Sequence, residues 1–184
     1  VENLQRIYGY YIDRAMWDQA ADLFAEDATF ESGQQGVYAG KKRVREFLGT
    51  LGPNGLVEGW LNDHIQLQVL ADISADGNTA RVRSRELAMT GKIGGQGYWS
   101  EGVYENTFVR DNGVWKIKSL HFYPTFITEY EKGWGKDAQP VPGPSTQLPP
   151  DRPPTETYAI FPKPHVPPFH YRNPVSGRVP PLLL

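Results

Sequence analysis

The sequence predicts an α+β fold, with helices first and a curved antiparallel sheet after them. Two observations carry that prediction. Apolar residues recur every three or four positions near the N-terminus, and strict alternation takes over after residue 63. Three turn signals, Asp76-Gly77-Asn78, Gly94-Gly95-Gln96-Gly97 and Asp111-Asn112-Gly113, then join four long strands into a meander. Helices followed by strands, without alternation between them, describe α+β rather than α/β architecture.

The first helix spans Glu2 to Met16, where Leu4, Ile7, Tyr8, Tyr11, Ile12 and Ala15 share a face. A second short helix covers Trp17 to Phe24, and Ala28 to Ser32 reads as a short strand. Gly33, Gly36 and Gly40 punctuate a loop before a helix over Lys41 to Leu51, which Gly52-Pro53-Asn54-Gly55 stops. The four strands begin at His64, Thr79, Tyr98 and Val114. Fourteen of the 16 prolines lie after residue 139, which divides the chain into a folded body, 1–137, and a proline-rich tail, 138–184. Those prolines exclude regular helix and central strands. Tyr158, Ile160, Phe161, Phe169 and Tyr171 stand among them, and disordered tails are poor in aromatics. The tail is expected to pack on the body or on a neighbouring subunit.

Composition narrows the function. The 184 residues are enough for one domain with a real core. A net charge of -2 and a pI near 6.1 argue against a nucleic-acid partner, which calls for a basic surplus. No apolar run approaches the roughly 20 residues a membrane helix needs, and the Leu182-Leu183-Leu184 cluster is far too short. No stretch reads as a secretory signal. With no cysteine, disulfides, thiol nucleophiles and thiolate metal sites are excluded, and a cytoplasmic location is expected. The four histidines are scattered without metal-ligand spacing. No glycine-rich phosphate loop or nucleophile elbow is present. What survives is a pocket without cofactor or metal, carrying titratable groups and phenols.

Specific motifs sharpen this. Ile7-Tyr8-Gly9-Tyr10-Tyr11-Ile12-Asp13, Trp17-Asp18, and Leu23 through Phe30 resemble the SnoaL-like (polyketide-cyclase-like) proteins of the nuclear-transport-factor-like superfamily. Gly36-Val37-Tyr38-Ala39-Gly40 and Gly113-Val114-Trp115-Lys116-Ile117 fit the same pattern, so the resemblance covers roughly residues 1–127. It implies a cone in which a curved sheet wraps helices around a deep pocket. The nearest types by motif are the scytalone and bile-acid dehydratases and the lyases that remove formaldehyde from diaryl lignin-derived compounds. Asp13 lies where scytalone dehydratase has a catalytic aspartate, and His64 matches its catalytic histidine; Tyr8 falls where ketosteroid isomerase places an oxyanion-hole tyrosine. The isomerase's carboxylate base would fall on Ser32, beside Glu31, so isomerase or cyclase chemistry needs Glu31 to turn inward.

The chemistry expected from these positions is acid–base catalysis by His64, Asp13 and Tyr8. A carboxylate bonded to one imidazole nitrogen fixes the tautomer and leaves the other nitrogen to move a proton. Such catalysis contributes roughly 100- to 10,000-fold. Phenols can stabilise a developing oxyanion. Tyr11, Trp60, Glu86, Tyr104 and His121 are the candidate substrate-binding residues. Strict alternation puts His64 with Gln66 and Gln68, opposite Ile65, Leu67 and Val69. If the apolar set lines the cone, His64 points outward, unless a β-bulge reverses it or the apolar set is a subunit interface. Arg81, Arg83 and Arg85 share a face opposite Ser84 and Glu86. The expected activity is a cofactor-independent lyase acting on a hydrophobic, aromatic hydroxylated substrate, with the tail closing the mouth of the cone. A non-catalytic binding or assembly domain, which would show a blocked pocket or no polar pair, is the alternative. The resemblance also implies self-association, a trimer before a dimer.

Overall fold

A computed structural model describes residues 1–181; the Leu182–Leu184 cluster lies outside the described residues. The chain runs α1 (Glu2–Asp13), α2 (Trp17–Asp22), β1 (Phe24–Ser32), β2 (Val37–Ala39), α3 (Lys41–Thr50), β3 (Trp60–Ile73), β4 (Thr79–Lys92), β5 (Gly97–Asp111) and β6 (Val114–Glu129). The six strands form one curved, open sheet in the order β2-β1-β6-β5-β4-β3. β3 to β6 are the expected antiparallel meander.

The sheet is mixed, not purely antiparallel, because β1 runs parallel to β6 with Phe30 beside Leu120 and Glu31 beside His121. β1 also starts earlier than its sequence suggests. Phe24 reads as helical by spacing, yet it is wholly buried, pairs with Ile117, and the Leu23 carbonyl accepts the Ile117 N–H at 2.8 Å. Tertiary pairing overrides local period here. The glycine loop holds a strand, β2, because the left-handed Gly33 and Gly36 fold it back on β1. α1 stops at Asp13, short of Met16, where Ala15 adopts φ 49° and the Met16 N–H closes on the Tyr11 carbonyl.

The helices fill the inner face of the sheet. Tyr8, Ile12, Trp17, Phe24, Phe30, Phe47, Leu48, Val82, Phe108 and Leu120 form the core. Each fully buried side chain of this size contributes about 2 kcal/mol. On β4, Ala80, Val82, Ser84, Glu86 and Ala88 face this core. Register shifts in β1, β3 and between β5 and β6 bend the sheet, and Gln68 takes φ 50° within the β3 shift.

After β6 the described chain forms no helix or named strand. Its contacts lie on the outer face of the sheet and at the β2 edge, where the Val37 N–H meets the Arg152 carbonyl at 2.9 Å and Arg43 of α3 bonds Asp151 and the Pro149 carbonyl, not over the mouth. The Thr155 N–H meets Glu31 on β1 at 2.8 Å, the Phe161 N–H meets the Thr125 carbonyl on β6 at 2.9 Å, and His170 lies between Glu105 on β5 and Asp72 on β3. An extended, ring-stiffened segment can span successive strands in this way, because it loses little entropy on ordering. The mouth of the cone is walled instead by the α3–β3 connection and the end of the β3–β4 pair.

Candidate active site

α1 crosses β3 at Gly9. A Cβ at that position would stand 2.5 Å from Gln66 Cγ and 3.4 Å from the His64 carbonyl oxygen. Only a glycine lets the helix come this close. One turn further on, Asp13 reaches His64. Asp13 Oδ1 accepts the His64 backbone N–H at 2.6 Å, and the same oxygen is 3.7 Å from His64 Nδ1. The bond expected between carboxylate and imidazole is therefore replaced by one to the backbone, because the strand presents its N–H to the helix end. At 3.7 Å the pair interacts by charge. Nδ1 itself is buried without a hydrogen-bond partner.

His64 faces inward. It shares its side of β3 with Gln66 and lies beside Ala88 in register, whereas Ile65 and Leu67 point outward and are partly exposed. Ile65 and Leu67 do not line the cone, whereas Val69, beyond the register shift at Gln68, packs against the core. Burial opposes the charged imidazole, but Asp13, with Glu86 and Asp63, outweighs it and holds the His64 pKa above the usual value.

Two cavities meet at this pair. One, of about 440 Å³, is lined by Trp17, Leu51, Leu56, Trp60 and Tyr98 together with Asp13 and His64. The other, of about 250 Å³, is more polar and has Arg6, Tyr10, Asp63 and Gln66 in its wall, again with Asp13 and His64. A volume of the first size accommodates an aromatic molecule.

Of the remaining candidates, Trp60 walls the larger cavity, half-exposed, with Lys92 Nζ over its ring at 5.6 Å. Tyr8, Glu86 and Tyr104 lie deeper and are buried. The Tyr104 hydroxyl donates to Glu86, and the Tyr8 ring meets Tyr104 edge-on at 6.2 Å. Burial, and then Glu86, push both phenols up, so they stay protonated and can donate hydrogen bonds. Tyr11 is half-buried against the core and lines neither cavity.

His121 is not brought to this site. It points to the outer face, stacked on Tyr123 at 3.8 Å, with Nε2 3.7 Å from Glu31 Oε1. Burial, and then His165, lower its pKa to about 4. Glu31 also faces outward, bonded by Thr155, away from the position an inward base would need.

Sequence reasoning missed Gln5, Gln66 and Asn106, which are joined beside the pair. The spacing of four in Gln5–Gly9–Asp13 was the available signal. It marks a polar stripe on α1 that the structure turns toward β3, while Ile7 and Tyr10 are exposed. Among the described residues, no group of three His, Asp or Glu side chains could hold a metal ion, and no helix is long and apolar enough to cross a membrane.

Residues 1–121 match the family model described as a SnoaL-like domain. No curated protein matches the chain. Solved structures share the fold. A scytalone-dehydratase-like protein of Novosphingobium aromaticivorans superposes with a TM-score of 0.62 at 22% identity, over 79% of this chain and 90% of that one. The hexachlorocyclohexane dehydrochlorinase LinA-type3 of Novosphingobium barchaimii gives 0.59 at 17% identity, over 68% and 84%. ActVI-ORFA of Streptomyces coelicolor gives 0.57 at 14% identity, over 66% and 92%.

Proposed function

The chain belongs to the SnoaL-like domain family of the nuclear-transport-factor-like superfamily, and on that premise we propose that it is a cofactor-independent lyase for a hydrophobic, aromatic hydroxylated substrate. One observation carries the reading: an imidazole with a buried, unpartnered Nδ1 stands beside an anchored carboxylate in the wall of an apolar cavity. A non-catalytic domain would be expected to have a blocked pocket or no such pair. Two proteins of the same fold are named for eliminations, a dehydratase and a dehydrochlorinase, which favours the same class here. An isomerase or cyclase reading draws no support from the outward-facing Glu31.

In dehydration, His64 takes a proton from the carbon next to the carbinol and returns one to the departing oxygen. A C–H and a C–O bond break, a C=C bond forms, and water leaves. In loss of formaldehyde, His64 takes the hydroxyl proton, the C–C bond breaks as the carbonyl forms, and the proton returns to the carbanionic carbon. Both cycles restore His64, and neither needs a redox partner. Asp13 stabilises the imidazolium through charge, and the larger cavity holds the aromatic body of the substrate away from water.

The test is incubation of the protein with benzylic alcohols, aromatic diols and diaryl diols, with steroids as controls. Mass spectrometry of the products should show loss of water or formaldehyde from at least one aromatic class and no change in the steroids. Rearrangement without mass loss, or no conversion of any aromatic compound, contradicts the proposal. We also propose a trimer of this chain in the cytoplasm; a monomeric mass in solution would refute the assembly.

A further inference from the structure

Beside the His64–Asp13 pair, a hydrogen-bonded chain crosses the inner face of the sheet in a single direction. The His121 backbone N–H donates to Asn106 Oδ1 at 3.0 Å, and Asn106 Nδ2 donates to Gln5 Oε1 at 2.7 Å. Gln5 Nε2 donates to Gln66 Oε1 at 2.9 Å, and Gln66 Nε2 donates to Glu86 Oε2 at 3.4 Å. The Tyr104 hydroxyl donates to the same Glu86 oxygen. The direction is fixed at both ends. A backbone N–H only donates and a carboxylate oxygen accepts, so reversing any one amide would set like groups face to face. Gln66 Nε2 also reaches the His64 carbonyl at 3.3 Å, which only a donor satisfies. Gln5, Asn106 and Glu86 are all buried.

We propose that Glu86 is a positioning residue for His64: a buried carboxylate, held by this one-way amide chain, that favours the imidazolium His64 forms when it takes a proton. A run of aligned amides presents the positive end of each dipole to the next acceptor, and the sum falls on the terminal carboxylate. Gln66 pairs with Glu86 and His64 with Ala88, so Glu86 is the diagonal neighbour of His64 on the inner face, roughly 7 Å away. At that range, with the Glu86 carboxylate buried, opposite charges stabilise one another. Burial chiefly, and Asp13 with it, push the Glu86 carboxyl above its usual range, while His64, Tyr104 and Gln66 pull against that rise.

The charged groups around His64 are Asp13 on α1, Asp63 on β3 itself and Glu86 on β4, with the phenols of Tyr8 and Tyr104 nearby. The two cations lining the cavities are engaged elsewhere: Arg6 is bonded to Glu2 at 2.9 Å, and Lys92 lies over Trp60. Removing the Glu86 charge therefore leaves His64 with one anion fewer and no added cation. The inference rests on the lyase reading only for what the proton is used for. The placement of Glu86 beside His64 does not depend on that reading.

Proton NMR titration of the His64 ring is the test, with the resonance assigned by its loss in His64→Gln. In Glu86→Gln the midpoint should fall by about one pH unit. In Gln5→Met it should fall by less, because breaking the chain makes Glu86 easier to protonate. Tyr104→Phe, which deletes one donor, should shift it the same way and serves if Glu86→Gln does not fold. A midpoint unchanged in a folded Glu86→Gln, or in Tyr104→Phe in its place, overturns the proposal. If the midpoint moves but the wild-type protein converts no substrate, the lyase reading fails and the role of Glu86 stands.

Discussion

Gly9 on α1 lies so close to β3 that a Cβ would come within 3.4 Å of the His64 carbonyl oxygen. This contact sets the separation of helix and strand, and so places Asp13 on the His64 N–H one helical turn later.

Gly9→Ala should therefore reverse the usual helix preference. An alanine replacing a mid-helix glycine ordinarily stabilises by about 1 kcal/mol. Here the new methyl meets Gln66, which is bonded to both Gln5 and Glu86 and cannot swing away freely. The expected result is destabilisation of about 2 kcal/mol and weakened turnover. A raised melting temperature with unchanged turnover would refute the contact's importance.

Trp60→Ala should separate binding from chemistry. The indole is half-exposed at the cavity wall, so its loss should change stability by no more than about 1 kcal/mol. KM for an aromatic substrate should rise with kcat little changed. An unaltered KM would remove Trp60 from the substrate path.

His121 should govern acid stability, not activity. Its pKa falls from 6.5 in the unfolded chain to about 4 in the fold, chiefly by burial. A depressed histidine contributes stability that is fully present above 6.5 and is lost as pH falls toward 4. The full span is worth about 3 kcal/mol. His121→Gln should flatten the stability–pH curve in that window, measured by denaturant titration, and leave turnover at neutral pH intact. A curve as steep as that of the wild type would contradict the assignment.

The helical and meander periods made most of this fold legible in the sequence. The parallel placement of β1 was not, because nothing local to Phe24–Ser32 reports that β6, some ninety residues later, arrives alongside it. Asp13 and His64 were legible only through family motifs. The face that His64 takes depends on which side of β3 the helix packs, and alternation alone describes both choices. The polar chain through Gln5, Gln66 and Asn106 was hidden for a related reason. Amides in an apolar pattern read as surface until their partners on other elements are known. His121 went the other way: it was a candidate because it lies on a late strand, and its outward-facing position on β6 puts it beside Tyr123 and His165 of the tail.

Turnover by His64→Gln on the best aromatic substrate shows whether His64 moves the proton. A loss of at least about 100-fold in kcat is expected, with the melting temperature held near that of the wild type. A folded His64→Gln protein that converts the substrate at the wild-type rate would contradict that role.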